Sequence, residues 1–93
     1  MTETILLPPR LDMTALRSLA QDLSSATRAG RDIDLDARDV THMGALSAQL
    51  FIAAARDARA KGGTLTFGSI SERAVDQLAM MGLTPTRISE GAQ

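Results

Sequence analysis

The sequence predicts a two-layer α/β sandwich: a mixed, mostly parallel sheet of about four strands with helices on one face. Three observations carry this expectation. In "DIDLDA", residues 32 to 37, Ile33 and Leu35 alternate strictly with Asp32, Asp34 and Asp36, the period of a strand buried on one side only. The segments on either side switch to helical spacing. Strand and helix segments then alternate three times along the chain, and strands separated by helices imply crossover connections and parallel pairing.

Taken in order, "TILLPP" predicts a first strand over about Thr4 to Leu7, closed by Pro8-Pro9, which cannot both continue a central strand. "LDMTALRSLAQDLSSATRAG" predicts a helix with Leu16, Leu19, Ala20 and Leu23 on one face, a cap from Asp12 or Thr14, and Gly30 at its end. After the aspartate-bearing strand, "GALSAQLFIAAARDARAKGG" predicts a second helix from about Gly44 to Lys61. Its middle, "LFIAAA", is apolar nearly all round, so this helix should pack on more than one side. Arg56, Arg59 and Lys61 in its last turns suit the negative end of the helix dipole. "TLTFGS" predicts a second alternating strand with Leu65 and Phe67 inward. "SERAVDQLAMMGL" predicts a third helix capped by Ser71, with Ala74, Val75, Leu78 and Met81 as its apolar stripe and Gly82 closing it. Residues 1–88 read as one domain, frayed after Ile88, and 89–93 as a polar tail.

Composition narrows the function classes. With 93 residues there is room for one domain, and with only two Phe and no Trp or Tyr the core must be aliphatic and alanine-rich. A formal net charge of −1 offers no basic field for nucleic acid or an anionic membrane, and the scarcity of aromatics removes stacking platforms for single strands. No cysteine is present, so disulfides and thiolate chemistry are excluded. The opening apolar run is too short for a signal peptide or a membrane span, and the expected setting is cytoplasmic, with no direct membrane insertion.

Candidate chemistry is thin. Asp32, Asp34 and Asp36 share a strand face and Asp39 follows, but a hard cation needs further oxygen ligands from other elements and none is evident. His42 and Ser47 flank the strand-to-helix junction in "DVTHMGALSAQLF", yet no G-x-S-x-G surrounds the serine and nothing obvious orients the histidine as a base. No phosphate-cradling glycine loop is present. No catalytic residue, metal or cofactor is therefore expected. The helix start at Gly44 still offers unpaired N–H groups, which makes it friendly to anions.

The pieces "DLDARDVTHM", "GALSAQL", "KGGTLTF", "SISERAV" and "LAMMGL", in this order and spacing, resemble the core of the STAS domain, the fold of bacterial anti-sigma-factor antagonists. The resemblance implies a four- or five-stranded mixed sheet, helices on one side, and a protein-binding role in signalling carried by the strand-to-helix junction. In switching members that junction reads Asp-Ser-Ser-Gly-Leu, and the second serine is phosphorylated by a partner kinase. Here Gly44 stands at the aspartate, Ala45 at the first serine, Leu46 at the phosphorylated serine and Ser47 at the glycine. The charge switch is thus missing in the expected register, with Ser47 the one nearby hydroxyl that could be modified.

The junction version found here is most similar to short stand-alone STAS proteins of bacterial chemotaxis systems. Related proteins serve as small subunits of lipid-transporting ABC machines, docked on the ATPase. The resemblance therefore implies a non-enzymatic interaction module in chemotaxis or two-component signalling, with a kinase or receptor-linked component as partner. The alternatives are an accessory subunit on a transporter ATPase and an anti-sigma antagonist proper. The expected contact surface is His42, Met43, Gly44, Ala45, Leu46, Ser47 and Gln49.

Overall fold

The computed structural model describes residues 2–92. Along them run β1 (Thr2–Leu6), α1 (Met13–Arg28), β2 (Asp32–Ala37), α2 (Ala45–Ala60), β3 (Leu65–Ile70), α3 (Glu72–Met80) and α4 (Pro85–Ser89). The strands form one sheet in the order β1-β2-β3, with both pairs parallel. Each connection steps to the next strand in the same direction, and right-handed crossovers then place α1 and α2 on one face. Ile33, Leu35 and Ala37 are buried on that face, while Asp32, Asp34 and Asp36 stay half-exposed on the other.

The sheet corrects two expectations: among the described residues it has three strands where about four were expected, and it is wholly parallel instead of mixed. Each strand is joined to the next through a helix, so no hairpin supplies an antiparallel neighbour. The segment after α3 folds as α4, because Thr84 caps it by accepting from the Arg87 N–H at 3.1 Å and Pro85 suits the first helical position.

α2 is the centre of the helical layer. It packs against α1, α4 and β3, which explains its nearly all-round apolar middle. Ala48, Ala54, Ala55 and Ala58 are buried along it, and their small side chains allow the neighbouring elements to come close. Phe51, fully buried, meets Phe67 edge to face with centroids 5.8 Å apart. Ile88, which the sequence reading puts at a fraying end, is fully buried where α4 lies on α2 and β3. The Arg56 Nε donates to the Gly91 carbonyl at 3.1 Å and holds the segment there. In α3, Ala74 and Leu78 are buried, but Val75 is 37% exposed and lies off the stripe assigned to it.

Gly30 and Gly68 are glycines for different reasons, one of backbone angle and one of space. Gly30 follows α1 at φ +69° and donates to Thr27, while Arg31 donates to Ala26, the paired bonds of a Schellman stop. Gly68 is the extra residue where the β2–β3 register slips between Leu35 and Asp36. A Cβ there would meet the Asp34 carboxylate, one of whose oxygens is buried without a partner. The other two aspartates of this face are engaged locally. Asp32 accepts from the Thr64 N–H at 3.0 Å, and Asp36 accepts from the Arg38 N–H at 3.2 Å.

Candidate functional site

The junction between β2 and α2 is held from both sides. On one side the chain beyond β1 runs alongside it: the N–H groups of Thr41 and His42 donate to the Pro9 carbonyl at 2.8 and 3.2 Å, and the Leu11 N–H donates to the His42 carbonyl. A parallel bridge between Arg10 and His42 results, carrying the β1–β2 pairing past the sheet proper. On the other side stands Gln77 of α3. Its amide Nε2 donates to the Thr41 carbonyl at 2.9 Å, and its Oε1 accepts from the Met43 N–H. The side chain thus acts as a short length of neighbouring strand. Ser71 completes the frame, its hydroxyl donating to the Val40 carbonyl while it caps α3.

This clamp gives a testable expectation. Gln77→Ala should cost about 1–3 kcal/mol, because it strands the N–H of buried Met43 without a partner. Gln77→Glu keeps an acceptor for Met43 but sets a second, donor-less oxygen against the Thr41 carbonyl, so it should not restore wild-type stability. Chemical denaturation together with amide exchange at Met43 reads both effects. A Gln77→Ala protein with wild-type stability and protection at Met43 would show that the junction does not depend on this bridge.

The expected contact residues divide by side-chain direction. His42, Gly44, Ala45, Leu46 and Gln49 are exposed, and Leu46 is 59% exposed despite being a large apolar group. Met43 and Ser47 are corrections to the expected surface, because both are buried. Ser47 lies on the stripe that continues through Phe51, Ala54, Ala55 and Ala58, so helical geometry turns it inward. The residue is 1% exposed, and its buried hydroxyl has no hydrogen-bond partner. A kinase could reach it only if the first turn of α2 opened.

Two open grooves of about 440 Å³ each meet at His42 and Gly44. One runs between the starts of α1 and α2, walled by Leu11, Met13, Leu16 and Leu46. The other runs toward the end of α3, walled by Met43, Gln77, Met80 and Met81. Met13 is 55% and Met80 is 88% exposed, so with Leu46 they extend an apolar rim across both grooves. The sequence reading missed Met13, Gln77 and Met80 as parts of this site. The only local signal was an excess of methionine near helix ends, which does not say where those ends meet.

Among the described residues no three His, Asp or Glu side chains converge as metal ligands. No helix there is long and apolar enough to cross a membrane. What the junction offers chemically is an apolar rim around a rigid backbone bend.

That arrangement agrees with what sequence comparison finds. Residues 3–85 match the family model described as "Mlab, STAS domain". The chain belongs to the STAS domain family. No curated protein matches the chain at a significant level. STAS membership makes this an anti-sigma-factor-antagonist-like protein-interaction module. The β2–α2 junction is the part of this STAS domain where exposed apolar side chains and a preorganised backbone coincide.

Proposed function

We propose that this STAS domain is a constitutive, non-enzymatic docking module of bacterial signal transduction. Its partner is a chemotaxis or two-component component such as a kinase or receptor-linked protein. The observation that carries the reading is Leu46, exposed on the first turn of α2 while the one hydroxyl of that turn is buried. A surface of this kind can bind through apolar contact, and the first turn of α2 offers no accessible hydroxyl for phosphorylation. The clamp of Gln77 and the Arg10–His42 bridge supports a bend that is already shaped before a partner arrives.

The test is capture by the immobilised protein from native cell extract, with the partner identified by mass spectrometry. A chemotaxis or two-component protein retained without any phosphate on Ser47 is the expected result. Recovery of a transporter ATPase or an anti-sigma kinase would assign the module to that machinery instead. A phosphorylated Ser47 peptide accompanying the loss of partner would make the junction a live switch. The protein should also turn over neither a generic ester nor a phosphoester. Hydrolysis abolished by both His42→Ala and Ser47→Ala would overturn the non-enzyme reading.

A further inference from the structure

We infer that the outer edge of β1 pairs with the same edge of a second copy of this chain, antiparallel about Thr4, so that two sheets join into one. The inference goes beyond the junction and stands without it. The two edges of the sheet are built differently. β3 is guarded: α4 packs on it, Leu65 is 0% exposed, and the slip at Gly68 breaks the regularity that a new strand would have to match. Among the described residues β1 has no such guard. Thr2–Leu6 include no Lys, Arg or Pro, and their pairing with β2 runs without a slip. Thr2, Thr4 and Leu6 are exposed, Leu6 to 57%. The Leu7 N–H donates to the Asp36 carbonyl, so by alternation the main-chain groups of Ile5 and Glu3 also point at β2. Those of Thr2, Thr4 and Leu6 point outward, with no described strand beside them.

The residues of β1 select a second copy and a single register. With Thr4 opposite Thr4 of the second copy, Thr2 falls opposite Leu6 and Glu3 opposite Ile5. All the outward residues then exchange bonds across the two-fold, about six in total. Glu3 meets no like charge, and its carboxylate is already held by Arg31 at 2.9 Å. Centring the two-fold on Glu3 would set that carboxylate against its own copy. Centring it on Ile5 would bring Pro8, which has no N–H, opposite Thr2. The acidic faces stay apart. Asp32, Asp34 and Asp36 of the two copies lie on strands about 14 Å apart, beyond the screening length of about 8 Å at physiological salt. A ladder of 5 residues covers less than the roughly 1,200 Å² of a lasting interface, so the pairing is weak and forms at high local concentration.

Sedimentation equilibrium of the whole chain should show the average mass rising toward that of a dimer between about 10 μM and about 1 mM. Thr4→Pro should hold it at the monomer mass, because the N–H removed faces away from β2 and Pro is tolerated on an edge strand. Thr4→Lys should give the same loss with the backbone intact. It sets two ammonium groups face to face across the two-fold, while within each copy the new side chain stands beside Asp34. Circular dichroism checks that both variants fold. The chain has no cysteine, so cross-linking reads the register. Thr4→Cys should oxidise to a disulfide dimer, since directly opposed residues of this kind have Cα atoms about 5.5 Å apart, within a disulfide's span. Thr2→Cys and Leu6→Cys should cross-link about tenfold faster when mixed than either does alone. A chain still monomeric at about 1 mM, or a dimer that survives in folded Thr4→Pro and Thr4→Lys, would overturn the inference. So would a foreign protein captured by a monomeric wild type and lost by Thr4→Pro, since the edge would then belong to another strand.

Discussion

Leu35→Ala is expected to remove about 2–5 kcal/mol of folding free energy. Leu35 is 0% exposed at the middle of the central strand, with Ile5 opposite it on β1 and Phe67 opposite it on β3. Truncation deletes buried methyl groups and leaves a cavity, and the two backbone ladders that flank β2 limit how far the strands can close it. Domains of this size have about 5–15 kcal/mol in total, so the loss is a large share of what holds the fold. Thr66→Ala, at an exposed position on the opposite face, should change stability by no more than about 0.5 kcal/mol. Urea denaturation distinguishes the two through the midpoint, with the slope unchanged. Equal midpoints for Leu35→Ala and the wild type would place Leu35 outside the core and undo the register of the sheet.

Leu46→Asp should abolish partner capture while the protein stays folded. Leu46 is the second residue of α2 and mostly exposed, so the change removes little core packing. A carboxylate so close to a helix N-terminus is electrostatically welcome, and the variant should be no less stable than the wild type. At the contact the effect reverses. The new charge must be desolvated beneath an apolar partner surface, a penalty of several kcal/mol that exceeds what a modest interface supplies. Leu46→Ala should weaken capture without abolishing it, since it removes apolar area and adds no charge. Circular dichroism and an unchanged melting curve establish the fold. Full capture by folded Leu46→Asp would place the partner elsewhere on the molecule.

Much of the helix architecture was readable because it is local. Asp12 and Ser71 cap the helices predicted for them, and Gly30 ends α1. These signals act within a few residues, where backbone geometry alone decides who can bond to whom. The alternation of Ile33 and Leu35 with the aspartates likewise gave the buried face of β2. The burial of Ser47 was also within reach, because its spacing to Phe51 and Ala54 puts it on the inward stripe. The junction's likeness to a switching motif drew attention to the serine's chemistry instead of its direction.

The sequence by itself determined the succession of strands and helices, the two faces of the sheet, and the apolar junction with no serine at the switching position. These follow from periods of two and 3.6 residues and from caps, all properties of neighbouring residues. Tertiary structure alone decided the rest. It set the strand number at three among the described residues, folded the polar-looking end into α4 over Ile88, and sent Gln77 across to bond Thr41 and Met43. It also gathered Met13, Leu46 and Met80, each from a different helix, around His42 and Gly44. Such contacts join segments far apart along the chain. Their partners are fixed by where parallel crossovers set the helix ends in space, which no local pattern records.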